Sequence, residues 1–133
     1  MEFMLDTNIC IYLIKQKPRQ VVKRLKETSV SEVGISSITL SELEYGVCKS
    51  HRLEQNQTAL IEFLAPLEVL PYDDMAAQHY GELRSYLEAR GTPIGSLDML
   101  IAAHALSLRC TLVTNNTSEF SRVPQLKLNN WAA

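Results

Sequence analysis

Short apolar runs alternate with helical patterns along almost the whole chain, and this alternation constrains the fold more than any other feature. "FML" (3–5) reads as a strand, and an i, i+3, i+4 apolar pattern from Ile9 to Ile14 follows it until Pro18 intervenes. A second short helix is expected at 20–28, a β-rich stretch "EVGISSIT" at 32–39, a helix over "LSELEYGVCKS" and an amphipathic helix at 53–65. "LEVLPY" (67–72) reads as a strand, 73–90 and 98–109 as helices, "TLVTN" (111–115) as a buried strand and "LKL" (126–128) as the last one. Strands separated by helices pair in parallel, and right-handed crossovers place helices on both faces of the sheet. The expected class is therefore α/β: a three-layer α/β/α sandwich around a central, mainly parallel sheet. A length of 133 residues, 46% of them hydrophobic, fits a single domain over 1–133 with one sheet at its centre.

No stretch approaches the roughly 18 to 20 apolar residues of a membrane span. Residues 1–20 also lack the basic start and long apolar core of a secretory signal, so a soluble cytoplasmic protein is expected. Cys10, Cys48 and Cys110 are an odd number of cysteines in apolar patterns, which reads as buried thiols rather than redox chemistry. A net charge of −2 argues against a domain that coats nucleic acid by charge alone. The distribution is uneven, however. "KQKPRQVVKRLKE" (15–27) carries Lys15, Lys17, Arg19, Lys23, Arg24 and Lys26 against Glu27, a local charge of +5 that leaves −7 for the rest of the chain. Such a run is either a solvated helix face or a patch that contacts a polyanion.

In parallel sheets, functional groups gather beyond the carboxyl ends of the strands. Asp6 directly follows "FML", Glu42 lies just after "VGISSI", Asp98 opens a helix, and Glu119 comes just after "TLVTNN". Each has a local structural explanation. Asp6 and Asn8 can cap the first helix, Thr39 with Glu42 and Asn116 with Glu119 show capping spacing, and Asp98 suits a first helical turn. Capping does not, however, require several acids to converge on one sheet edge, where they repel one another. A hard divalent cation, Mg²⁺ or Mn²⁺, removes that cost. Zinc is not suggested, because His51, His79 and His104 are scattered.

"FMLDTNICIYLI", "ISSITLSELEYG", "GTPIGSLDMLIAAHAL" and "LVTNNTSEF", in that order and at that spacing, resemble a PIN-domain ribonuclease of the VapC toxin family over essentially the whole chain. The resemblance implies a PIN-like fold and metal-dependent hydrolysis of an RNA phosphodiester. It assigns Asp6, Glu42 and Asp98 to the Mg²⁺ or Mn²⁺ ion, Thr7 and Asn8 to polar support beside the first acid, and Thr114 to the wall of the site. Many members have an Asp where this chain has Asn116, so the fourth acid is deferred to Glu119, an outer ligand, with Asn116 as a polar helper. Lys23, Arg24 and Lys26 would meet the RNA backbone.

The same resemblance implies a growth-arresting toxin that dimerises and pairs with a VapB antitoxin, whose C-terminal segment covers the active site. Its substrate would be a tRNA cut in or near the anticodon loop, with initiator tRNA the association among enterobacterial members. Tyr45, Leu53 and Phe63 would serve either partner contact or the core, and core is the simpler expectation. Two rivals remain. A haloacid-dehalogenase-type phosphohydrolase wants a second acid where Asn8 stands, and a catalytically silent PIN scaffold would bind only RNA or protein.

Overall fold

The computed structural model describes residues 1–133. In chain order the elements are β1 (Phe3–Leu5), α1 (Thr7–Lys15), α2 (Arg19–Glu27), β2 (Val33–Ser36), α3 (Ser37–Cys48) and α4 (Leu53–Leu64). After these come β3 (Glu68–Leu70), α5 (Asp74–Ala89), α6 (Ser96–Leu108), β4 (Thr111–Val113), α7 (Thr117–Phe120) and β5 (Lys127–Asn129). The strands form one sheet in the order β3-β2-β1-β4-β5, and every pairing is parallel.

Because side chains alternate along a strand, a sheet covered on both faces needs apolar residues in succession. Met4 and Leu112 point to one face, where they pack with Leu83 and Leu87 of α5, Ile101 and Ala105 of α6, and Phe120. Leu5 and Val113 point to the other, among Ile9 and Leu13 of α1, Val21 of α2, Leu43 of α3, Leu60 of α4 and Trp131. The three layers expected from the sequence are thus present, and the sheet is wholly rather than mainly parallel.

Several boundaries differ from the sequence reading, each for a local reason. The β-rich stretch at 32–39 stops at Ser36, because the Ser36 hydroxyl accepts the Ile38 N–H and caps α3. Thr39 is therefore inside the helix rather than its cap. The first helix starts at Thr7, ahead of its apolar pattern, and α6 starts at Ser96, so Asp98 is its third residue. The four-residue α7 is too short to show a period; the burial of Phe120 anchors it.

Three side chains expected inside are outside. Cys48 is exposed, and Tyr45 and Leu53 are 66% and 47% accessible. Phe63 alone of the partner-or-core set packs against the buried residues. Amphipathic periodicity marks a helix's apolar stripe but not how wide a stripe its neighbours cover.

Gly34 sits on β2 where a Cβ would stand 2.8 Å from the Glu68 carbonyl oxygen of β3. Since the clash is with backbone, Gly34→Ala is expected to destabilise the fold by about 1–3 kcal/mol. Urea unfolding would show this as a lower midpoint with an unchanged slope.

Candidate active site

The chain builds β1, β2 and β3 outward in one direction, then crosses back to lay β4 against the free edge of β1. The two connections leaving β1 and β4 therefore diverge to opposite faces and open a crevice between the strand ends, the place where open α/β sheets bind ligands. Asp6 stands at the end of β1 in this crevice, buried, and the Thr7 N–H donates to its Oδ1 at 2.8 Å. Across the crevice, at the end of β4, the buried Thr114 hydroxyl donates to Asp6 Oδ2 at 2.8 Å. Both oxygens of Asp6 are thus aimed by donors fixed to the two central strands.

Thr7 also reaches the second acid, its hydroxyl donating to Glu42 Oε1 at 2.6 Å. Glu42 is free to take this bond because Ser36, not Thr39, caps α3. The third and fourth acids come as a pair. Glu119 Oε1 accepts the Gly95 N–H at 2.6 Å and its Oε2 accepts the Asn116 amide at 2.7 Å, while the Asn116 N–H donates to Thr114 Oγ1 at 3.0 Å. These donors, the backbone N–H foremost, hold the Glu119 carboxyl below the usual carboxylate range. Asp98, beside it, goes the other way: burial first, then the charges of Asp6, Glu119 and Glu42 and a hydrogen bond with Glu119, push its carboxyl up to about 7. Burial also raises Asp6 above its ordinary value, against the pull of Thr114 and Thr7.

The four acids singled out in the sequence therefore share one electrostatic neighbourhood. None of the four is in a salt bridge, the ion pairs of the chain being Lys23–Glu27 and Arg84–Glu88, and Arg122 acts on Glu119 only through its charge. The donor set is all oxygen, the preference of a hard divalent cation. As they stand, no three of these side chains close on a common point. Chemically the residues fit Mg²⁺ or Mn²⁺, with Asp6, Glu42 and Asp98 as the candidate ligands and Glu119 as the outer acid.

Other sequence candidates fare differently. Thr7, Thr114 and Asn116 each hold an acid directly, whereas Asn8 is exposed and bonds to none of them. Lys23, Arg24 and Lys26 are exposed on α2, with Arg24 lying 5.8 Å over the Trp131 ring. Two groups escaped the sequence reading. Gly95 acts through a backbone N–H, which carries no side-chain signal, and Ser36 is hidden in a run read as strand.

Cavity size does not mark this site. One hollow, of about 710 Å³, lies at the opposite end of β4 and β5, lined by Glu82, Tyr86, Arg109 and Lys127 among others, and contains none of the four acids. A second, of about 370 Å³, lies between α1, α3 and α4 and reaches Glu42. Of the four acids, only Glu42 lines either hollow.

The fold and this cleft define a PIN domain, and the model of that family, described as "PIN domain", matches residues 3–126. The chain is 48% identical over 132 residues to Ribonuclease VapC2 of Rickettsia felis, covering 98% of both. It is 46% identical over 131 residues to the tRNA(fMet)-specific endonuclease VapC of Salmonella typhimurium, again covering 98% of both. Against the crystal structure of DNA-bound VapBC from Salmonella typhimurium, the TM-score is 0.94 at 46% identity over 98% of both chains. The chain belongs to the VapC family of PIN-domain proteins.

The raised Asp98 carboxyl has a consequence for stability. In the unfolded chain this group titrates near its ordinary value of about 3.9. Between that value and about 7 the folded chain holds the extra proton, so stability is greater at low pH and falls as pH rises through this window. Asp98→Asn removes the charge and with it the loss. Solvent screening of this half-exposed group limits the gain to about 1 kcal/mol, or about 4 °C in Tm at pH 8 in metal-free buffer. Thermal melts should show that advantage shrinking to nothing by about pH 4; an advantage that is constant with pH would mean that the acids do not repel one another.

Proposed function

We propose that the chain is a metal-dependent endoribonuclease, the toxin of a VapBC-type toxin–antitoxin pair. It acts in the cytoplasm as a homodimer and hydrolyses a phosphodiester bond of a specific tRNA near the anticodon loop, arresting translation and growth. The observation that carries this reading is the convergence of Asp6, Glu42, Asp98 and Glu119 on one cleft at the switch point of the sheet, with no basic side chain paired to them. Initiator tRNA is the first candidate substrate, supported by the 46% identity to a tRNA(fMet)-specific endonuclease.

Mg²⁺ or Mn²⁺, when bound, supplies the Lewis acidity that opens a phosphodiester to attack by water. The residues of the chain prepare for it. Asp6, fixed at both oxygens, turns its remaining lone pairs to the cleft, and Glu42, held at Oε1 by Thr7, keeps Oε2 for the same purpose. Asp98, its carboxyl pushed up to about 7 by burial and by the neighbouring acids, would have to lose its proton to serve as a ligand, while the Gly95 N–H and Asn116 favour the ionised form of Glu119. No histidine is placed to activate an RNA 2′-hydroxyl. His104 is buried against Ser36, His79 bonds to the Met75 carbonyl, and His51 lies in the loop between α3 and α4. This leaves water as the nucleophile, and the α2 face of Lys23, Arg24 and Lys26 as a surface that holds phosphates near a cleft that would otherwise repel them.

The antitoxin is a VapB-type protein whose C-terminal segment covers the cleft. The hollow between α1, α3 and α4 suits such a segment, being lined by Ile11, Ile14, Leu43 and Leu60 and bordered by Glu42, with Tyr45, Leu53 and Ile61 exposed on the same helices. A basic side chain from the partner would satisfy the acids there.

Asp6→Asn and Asp98→Asn are each expected to lower cleavage of initiator tRNA by at least about a hundredfold without loss of fold by circular dichroism. The parent's products should carry a 5′-phosphate and a 3′-hydroxyl, and chelator should stop the reaction. Cyclic-phosphate ends, or full cleavage by folded Asp98→Asn, would refute the mechanism. Reversing Lys23 and Lys26 to Glu, with Arg24 left on Trp131, should weaken tRNA binding and reduce the slope of log affinity against log salt by about 2 or more. Filter binding at several salt concentrations would detect this, and unaltered binding at low salt would make α2 merely a solvated face.

A further inference from the structure

Ser36 and His104 form a buried polar pair that the proposed chemistry does not use. They are essentially inaccessible, at 0% and 1% exposure, and His104 Nδ1 lies 2.7 Å from Ser36 Oγ. The Ser36 oxygen already accepts the Ile38 N–H at 3.0 Å, so the arrangement that also uses the hydroxyl hydrogen has Ser36 donating to Nδ1. Burial lowers the affinity of the imidazole for a proton and keeps the ring neutral, as that bond requires. A third segment braces the pair. The Tyr72 ring meets the His104 ring edge-on at 5.5 Å, and the Tyr72 N–H donates to Ser37 Oγ at 3.0 Å.

The position of this bond is what gives it meaning. It ties the start of α3, which carries Glu42, to α6, which carries Asp98; Glu42 lies six residues beyond Ser36, and Asp98 six residues before His104. Glu42 and Asp98 have no hydrogen bond to each other, and their charges drive them apart. The surroundings of His104 on α6 are Ile101, Ala102, Ala103 and Ala105, all fully buried and apolar. An apolar residue at 104 would stabilise such a core at least as well, because a buried polar pair gains little net free energy over hydrophobic packing. What a polar pair adds is direction: one relative placement of the two helices satisfies it.

We propose that the Ser36–His104 hydrogen bond is a strut that sets the separation of Glu42 and Asp98, making His104 a positioning residue for the divalent cation. This rests on the reading of those acids as the cation's ligands. The strut does for the α3–α6 pair what Thr114 does for Asp6 across β1 and β4.

The test separates the bond from the volume of the ring. In His104→Gln the amide takes the place of Nε2 and the bond to Ser36 is lost, whereas in His104→Asn it takes the place of Nδ1 and the bond can form. Mn²⁺ alone is the probe, its binding followed by the loss of the free-ion electron paramagnetic resonance signal, with kcat and KM for tRNA measured alongside. His104→Gln is expected to bind Mn²⁺ about tenfold more weakly than the parent and to lose kcat that added Mn²⁺ restores, with KM for tRNA unchanged. His104→Asn should stay near the parent. Should His104→Gln not fold, Ser36→Ala, which keeps the ring but also removes the α3 cap, is expected to weaken Mn²⁺ binding at least as much. Parental Mn²⁺ affinity in folded His104→Gln or Ser36→Ala overturns the strut while leaving the acidic site intact. A parent chain that takes up no Mn²⁺ overturns the ligand reading and the strut with it.

Discussion

The hydrogen bond from Thr114 to Asp6 joins the two strands between which the chain reverses its direction of building. It spans 108 residues of sequence and is buried. A carboxylate held at the centre of a parallel sheet, away from water, is tolerated only when its oxygens are satisfied. The Thr7 N–H and Thr114 hydroxyl satisfy one lone pair on each oxygen and leave one on each unused. The rest of the site is arranged around that fixed point: Thr7 goes on to hold Glu42, and Asn116, which donates its N–H to Thr114, goes on to hold Glu119.

Two threonines and an asparagine therefore do most of the orienting, and all are uncharged. A basic residue in their place would neutralise the acids and compete with a cation. Uncharged donors aim the oxygens and leave the negative potential in place. The cost is visible in Asp98, whose carboxyl is pushed up to about 7 by burial first and then by the charges of Asp6, Glu119 and Glu42. Under the proposed function, that repulsion would favour the uptake of a cation, whether a metal ion or a basic side chain of a partner.

The packing beneath the cleft divides the labour between faces. On one side α5 and α6 bury an almost wholly apolar core with the Ser36–His104 pair as its polar exception. On the other, α1 to α4 enclose Trp131 and leave the apolar hollow that runs up to Glu42. The acids contributed by the two faces, Glu42 from α3 and Asp98 from α6, meet over the strand ends. Substrate, cation and a covering partner would all address the same edge of the sheet.

The sequence by itself determined the layers and the placing of the acids, because both follow from local chemistry. Strand runs such as "FML" and "TLV" are apolar in succession since both faces are covered, and an acid one residue past a strand end has nowhere to stand but at the sheet edge. Motif order further grouped Asp6, Glu42 and Asp98, with Glu119 added as an outer acid where this chain departs from the motif. Element ends were less legible where a side chain changed partners: Ser36 caps a helix inside a run that reads as strand, and Thr39, which has capping spacing to Glu42, is an interior residue with an unpaired buried hydroxyl. Tertiary structure alone decided which donor holds which oxygen, that Asn8 stays outside the set, that Gly95 enters it through its backbone, and that His104 meets Ser36 across 68 residues. Such pairings depend on the relative placement of elements distant in sequence, which is fixed by strand order and by the packing of helices on the sheet rather than by any local pattern of residues.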